Sequence, residues 1–255
     1  MSHNASDPPN TTTSPHAATP SSPTDPTDLT RLPEPAALLF DLDGTLVDTV
    51  HVRVEAWRRA FERTGLDVKA EELGQYMGSD GRWLAGEVAR RHGRELSWAE
   101  RDELDRASGD AFDVLNRYPE PLPGATELLT ALERSRGLAF CVATASQPGQ
   151  IAASVSALRL PAAPRITDAS HVEHAKPEPD LLLEAARQLG VAPDRCWYVG
   201  DSRWDMIACV RAGMAGIAVT TGATPADVLL EAGASAALGG LAPIGEELRR
   251  RGLID

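Results

Sequence analysis

The chain has 255 residues, 42% of them hydrophobic, with 25 Lys+Arg against 37 Asp+Glu and a formal net charge of -12. That length suits one large domain, or a core carrying one insertion, with ample room for a buried interior. The acidic balance excludes a general binder of nucleic acid or anionic membrane, which needs clustered positive charge, and no run of about 18 apolar residues exists to span a bilayer. The start lacks the basic-then-apolar pattern of a secretory signal. Cys141, Cys196 and Cys209 fall within apolar stretches and read as reduced packing residues of a cytoplasmic protein. Only two lysines occur, Lys69 and Lys176, so a lysine inside a motif stands out against the arginine bias.

Residues 1–35 contain eight Pro, seven Thr and five Ser, with Leu29 and Leu32 as the only large aliphatic residues, and are expected to be a disordered tail. Order is expected from Ala36-Ala37-Leu38-Leu39-Phe40, an apolar run that reads as a buried strand ending at Asp41-Leu42-Asp43-Gly44. From 50 to 117 the pattern is helical and charged: His51–Thr64, Ala70–Tyr76, Trp83–His92 and Trp98–Arg117. Trp57 and Phe61, four apart, read as the core of this insert, and Asp48 and Thr49 as caps of its first helix. Tyr118-Pro119-Glu120-Pro121-Leu122-Pro123-Gly124 then breaks every helix and reads as a linker.

Beyond the linker, helices and strands alternate. Helices are predicted over Thr126–Ser135, Gln150–Leu158, Asp180–Leu189, Asp205–Ala212 and Pro225–Gly233. Strands are predicted over Ala139–Ala143, Arg165–Thr167, Cys196–Val199 and Gly216–Val219. Such alternation implies an α/β core, a parallel sheet with helices on both faces, built from 36–49 and 118–255 and interrupted by an all-helical cap over 50–117.

In doubly wound sheets ligands bind at the carboxyl ends of strands. Asp41 and Asp43 follow the first predicted strand, Thr144 the second, Lys176 lies past the third, and Asp201 and Asp205 follow the fourth. Four carboxylates converging on one rim repel one another, and a divalent cation with oxygen ligands relieves that. Together with one lysine and one hydroxyl, the set suits phosphoryl transfer, in which a carboxylate can attack phosphorus. Asp205 could equally cap the helix it begins, and Thr144 could be an ordinary strand-end hydroxyl.

Asp41-Leu42-Asp43-Gly44-Thr45-Leu46-Val47-Asp48, Thr144, Lys176-Pro177 and Gly200-Asp201-Ser202-Arg203-Trp204-Asp205 resemble the four ordered motifs of the haloacid dehalogenase superfamily. The helical insert after the first motif resembles the cap of its phosphoglycolate-phosphatase-like and β-phosphoglucomutase-like branch. The resemblance implies a Rossmann-like core and a phosphatase that forms an aspartyl-phosphate on Asp41. It further implies that Asp43 protonates the leaving alcohol and then activates water, while Thr144 and Lys176 hold the phosphoryl group. Asp41, Asp201 and the Asp43 carbonyl would bind Mg²⁺, with Asp205 supporting that set. Arg53, Arg82, Ser146 and Gln147 are candidate contacts for a small phosphorylated metabolite. Two alternatives stand beside the hydrolase: a sugar-phosphate mutase, against which Arg53 argues at a position where such caps carry histidine, and a non-catalytic metabolite-binding module.

Overall fold

The computed structural model describes residues 25–135 and 137–255. Its first strand, β1 (Ala37–Phe40), has four apolar residues, all fully buried, as an unbroken apolar run demands when a strand is covered on both faces. Four helices follow: α1 (Val50–Glu62), α2 (Ala70–Leu73), α3 (Gly81–Arg91) and α4 (Trp98–Leu115). The chain then alternates through α5 (Ala125–Arg134), β2 (Ala139–Ala143), α6 (Pro148–Ala157), β3 (Ile166–Thr167), α7 (Asp180–Leu189) and β4 (Cys196–Gly200). It ends with α8 (Arg203–Ala212), β5 (Ala215–Val219), α9 (Ala226–Glu231), β6 (Ala236–Leu238) and α10 (Ala242–Arg250).

The six strands form one parallel sheet in the order β3-β2-β1-β4-β5-β6, so β1 lies inside it, with Leu39 in register with Cys141 and Tyr198. Side chains alternate between faces. Leu38, Phe40, Val142, Trp197, Val199 and Ile217 pack with α5 and α10 on one side. Ala37, Leu39, Cys141, Tyr198 and Ala218 pack with α7, α8 and α9 on the other. The fold is the α/β architecture read from the sequence, with a helical insertion after the first strand. Among the described residues no helix is long and apolar enough to cross a membrane, and the three cysteines are free and buried.

The insertion has its own core. Val54, Trp57, Ala60 and Phe61 of α1 pack against Leu84, Val88 and Ala89 of α3 and Leu104 of α4, with the Trp57 and Phe61 ring centroids 5.7 Å apart. A capping box sets the start of α4: Ser97 Oγ accepts from the Glu100 N–H, and Glu100 Oε2 accepts from the Ser97 N–H. The two connections to the sheet run side by side. Asp48 donates its N–H to Glu120 O and Leu122 donates to Leu46 O, both at 2.9 Å, which ties the two connections into a short antiparallel pair.

The tail expected over 1–35 is corrected at its end. Residues 1–24 lie outside the described residues, whereas 25–35 pack on the core. Leu29 is 4% exposed, and Arg251 donates to the carbonyls of Leu29 and Leu32. Ala237 of the edge strand donates to Pro26 O, and Trp197 Nε1 donates to Pro33 O. The composition of the 35-residue window concealed two leucines and a set of carbonyls with partners far along the chain.

Candidate active site

β1 opens at its carboxyl end into a polar loop. Asp41 still belongs to the sheet through its N–H, which donates to Val199 O at 2.9 Å, and its side chain is buried. At Gly44 the backbone reaches φ +80°, and a Cβ there would strike both the Asp201 carboxylate and Val50. Glycine meets both demands, the left-handed turn and the close approach.

Lys176, fully buried, bridges two acids: its Nζ lies 2.7 Å from Asp41 Oδ1 and 2.7 Å from Asp205 Oδ1. Asp205 is satisfied on both oxygens. Tyr198 donates its hydroxyl to Oδ1 at 2.6 Å, and Ser202 donates its N–H at 3.0 Å and its hydroxyl at 2.5 Å to Oδ2. Ser202 and Asp205 also form the capping box of α8, so one carboxylate both starts the helix and seats the lysine. Asp201 Oδ1 accepts from Thr45 Oγ1 at 3.0 Å, and its Oδ2 lies where a side chain on Gly44 or Gly222 would collide with it.

Burial is the largest influence on Asp41 and raises its carboxyl to about 7, against the pull of Lys176. Burial, followed by Asp205 and Asp41, pushes Asp201 well above the ordinary carboxylate range. Burial would lower Lys176, yet Asp205 and Asp41 outweigh it and hold the ammonium charged. Asp41, Asp201 and Asp205 each place one carboxylate oxygen within 4.8 Å of the others, all buried. Three acids against one lysine leave excess negative charge among oxygen donors, and that chemistry fits a hard dication such as Mg²⁺. Since both oxygens of Asp205 already have donors, Asp41 and Asp201 are the carboxylates left for the cation.

Asp43 sits in a different environment. Its Oδ1 accepts from Thr49 Oγ1 at 2.5 Å; its Oδ2 accepts from Ser146 Oγ at 2.8 Å and from Arg53 Nη2 and Nε at 2.8 and 3.1 Å. Arg53 is itself fixed, with Nη1 donating to Gln150 Oε1 at 2.7 Å and its guanidinium 3.4 Å above the Phe112 ring. Burial works to raise Asp43, but Arg53, Thr49 and Ser146 together bring its carboxyl below the ordinary value. Two aspartates two residues apart are thus driven in opposite directions.

Cap and core enclose a cleft lined by Asp41, Asp43, Thr144 and Asp201 below and by Trp57, Arg82 and Asp105 above. Thr144 is buried, its Oγ1 accepting from the Ser146 N–H at 3.2 Å. Gln147 is exposed on the lining. Arg82 reaches the lining while its guanidinium pairs within the cap, 3.6 Å from Asp102 and 4.0 Å from Asp80. Lys176 and Asp205 stand behind Asp41, outside the lining. Thr49 is the N-cap residue of α1, as expected, but its side chain makes no capping bond and turns its hydroxyl to Asp43. Sequence reasoning missed Tyr198, Gln150, Phe112 and Asp105. Only Tyr198 carried a signal, since alternation along its strand puts it on the face of Leu39.

The family model of haloacid dehalogenase-like hydrolases matches residues 38–219. The chain belongs to that family. This hydrolase is 33% identical over 193 residues to hexitol phosphatase A of Escherichia coli, covering 74% of this chain and 83% of that protein. It is 31% identical over 183 residues to the same organism's fructose-1-phosphate phosphatase YqaB, covering 70% and 93%. A 30% match over 208 residues to the chloroplastic protein SUPPRESSOR OF QUENCHING 1 of Arabidopsis thaliana covers 78% of this chain but 19% of that much longer protein. Among solved structures, a hydrolase from Pseudomonas syringae superposes with a TM-score of 0.77 at 28% identity, covering 84% of this chain and 98% of that one.

Proposed function

We propose that this hydrolase is a Mg²⁺-dependent phosphomonoesterase that acts on a small phosphorylated metabolite through an aspartyl-phosphate on Asp41. The observation that carries the reading is the separation of the two aspartates. Asp41 faces the excess acidic charge beside Lys176, and Asp43 lies on the cleft wall with its own set of donors. Carboxylates whose environments divide them in this way take different roles.

Asp41 attacks phosphorus, and the bond to the leaving alkoxide breaks. Asp43 delivers a proton to that oxygen, and in the second half takes one from the water that hydrolyses the acyl phosphate. Thr144 donates to a phosphoryl oxygen, and Lys176, held by Asp205, keeps Asp41 oriented while adding positive charge. Asp41 and Asp201 would hold Mg²⁺, which when bound would supply positive charge to offset the negative charge of the phosphoryl group. Because Arg53 lowers Asp43, proton donation requires the guanidinium to leave Asp43 for an anionic oxygen of the substrate. Ser146 and Gln147 are therefore the substrate contacts of the core side, and Arg53 and Arg82 those of the cap. The phosphatase names of the two Escherichia coli relatives support the reaction class.

The test is phosphate release from a panel of phosphoglycolate, hexose and hexitol phosphates, nucleotides and an aryl phosphate, with Mg²⁺ and with EDTA. Selective Mg²⁺-dependent release is expected, with Asp41→Asn losing at least about 10³-fold in kcat while keeping its fold, as for loss of a covalent nucleophile. Substantial hydrolysis by Asp41→Asn sinks the assignment. Phosphoenzyme without net release, and turnover only with an added bisphosphate, indicates the mutase.

A further inference from the structure

Of the carboxylates lining the cleft, Asp105 is the partly buried one that has no partner among the described residues. Asp105 lies on α4 at a spacing of three, four and seven residues from Ser108, Gly109 and Phe112, the face that this helix turns toward the cleft and the core. Phe112 on that face seats Arg53, and Gly109 leaves space that the Gln150 amide occupies. Asp105 has a slot of its own. A Cβ on Gly81, the first residue of α3, would fall on the Asp105 carboxylate and meet the Trp57 ring at 3.2 Å, so the absence of a side chain there accommodates the acid beside an aromatic face.

Among the described residues Asp105 receives no hydrogen bond and forms no ion pair. The cation nearest in influence, Arg82, pairs with Asp80 and Asp102 instead. Burial and then Asp80 raise the Asp105 carboxyl to about 6, so at neutral pH it remains mostly ionised at a cost. Asp105 is only partly buried, so water reaches its carboxylate in the cleft, and a ligand that displaces this water has to bring donors in its place.

We propose that Asp105 is a specificity-determining residue that accepts hydrogen bonds from hydroxyl groups of the leaving alcohol, so that the enzyme takes polyol or sugar phosphates. This rests on the phosphatase reading above and deepens it. An ionised carboxylate is acceptor-only and offers two oxygens to adjacent hydroxyls. Trp57 beside it supplies an apolar surface for the carbon skeleton, and Arg53 waits at the phosphoryl end. A leaving group that carries its own carboxylate, as phosphoglycolate does, is repelled at the same place.

The experiment compares the full chain with Asp105→Ala and Asp105→Asn, in Mg²⁺ at neutral pH, on a hexitol phosphate, phosphoglycolate and phosphoethanolamine. Loss of charge-assisted hydrogen bonds predicts that Asp105→Ala lowers the ratio of kcat/KM for hexitol phosphate over phosphoglycolate by about 10- to 100-fold, with Asp105→Asn between the two. Neither variant melts below the parent, because the carboxylate satisfies nothing in the fold. Binding of the hexitol phosphate to Asp41→Asn, read by calorimetry, should weaken by the same factor when Asp105→Ala is added. Should the parent release phosphate from no substrate, the phosphatase reading fails while this binding comparison still decides on Asp105. An unchanged ratio together with unchanged binding overturns the proposal. So does an equal loss on all substrates with a lower melting temperature, or a parent preference for phosphoethanolamine that Asp105→Asn abolishes.

Discussion

Arg53 is the residue on which two requirements meet. It grips Asp43 through two nitrogens and lies flat on Phe112, so its charge is committed to the carboxylate that we propose as the proton carrier. Because Arg53 is the strongest of the influences lowering Asp43, its removal lets burial raise that carboxyl. Arg53→Ala should therefore move the basic limb of kcat/KM, set by loss of the proton that Asp43 donates in the first half-reaction, to higher pH, and should raise KM as well. A pH profile with an unmoved basic limb contradicts the clasp. The strand-end acids were legible in the sequence because a strand of known polarity delivers its next residues to one rim. Their partners were less so: only strand alternation hints at Tyr198, which bonds Asp205, and Gln150 meets Arg53 from far along the chain only once cap and core have folded together.

The helical elements show where cap meets core. Trp204, at the start of α8, donates its indole N–H to Gln75 O at 3.2 Å and meets the Trp83 ring edge-on at 4.8 Å, so a core tryptophan joins the cap's apolar cluster. The Asp80 N–H, in the loop before α3, donates to Lys176 O at 3.1 Å. These contacts hold the cap down on the same edge of the sheet that carries the acids. Trp204→Ala removes the aromatic pair, worth about 0.5–1.5 kcal/mol beyond its buried area. We expect a several-fold higher KM with a smaller change in kcat, measured by initial rates. An unchanged KM would show that this contact does not bias closure. Most elements were legible because apolar periodicity and Pro/Gly breaks mark them; Ala139–Ala143 and Asp180–Leu189 match residue for residue. β6 and α10 were missed, since Ala236–Leu238 is too short to show a period, and α10 carries Pro243 in its first turn and glutamates and arginines over its second half.

For the whole molecule the dominant fact is buried negative charge in an already acidic chain. Asp41 keeps a proton in the folded state up to about 7, against an ordinary value of 3.8. Between those values the native chain binds a proton that the unfolded chain has released, so stability falls as pH rises through the window. Asp201, raised further, continues the trend upward. A dication held by the same carboxylates competes with their protons, so Mg²⁺ should stabilise the protein more at about pH 8 than at about pH 5. At a hundredfold excess over Kd the gain at the higher pH is about 2.7 kcal/mol, or roughly 5–10 °C in Tm. Equal shifts at both pH values, read by calorimetry, contradict a cation held by protonatable acids. At this scale the sequence also misjudged the amino-terminal segment, because composition over a window cannot register that Arg251 and the edge strand supply partners for residues 26–32.

Covalent catalysis by Asp41, as proposed, passes through a phosphorylated enzyme. The direct measurement is rapid-quench peptide mass spectrometry of the enzyme mixed with a hexitol phosphate and Mg²⁺. A phosphoryl adduct should be found on the peptide that carries Asp41, forming and decaying at rates compatible with kcat, and absent from Asp41→Asn. Phosphate release at full rate with no adduct at any quench time, or an adduct on another residue, would contradict it.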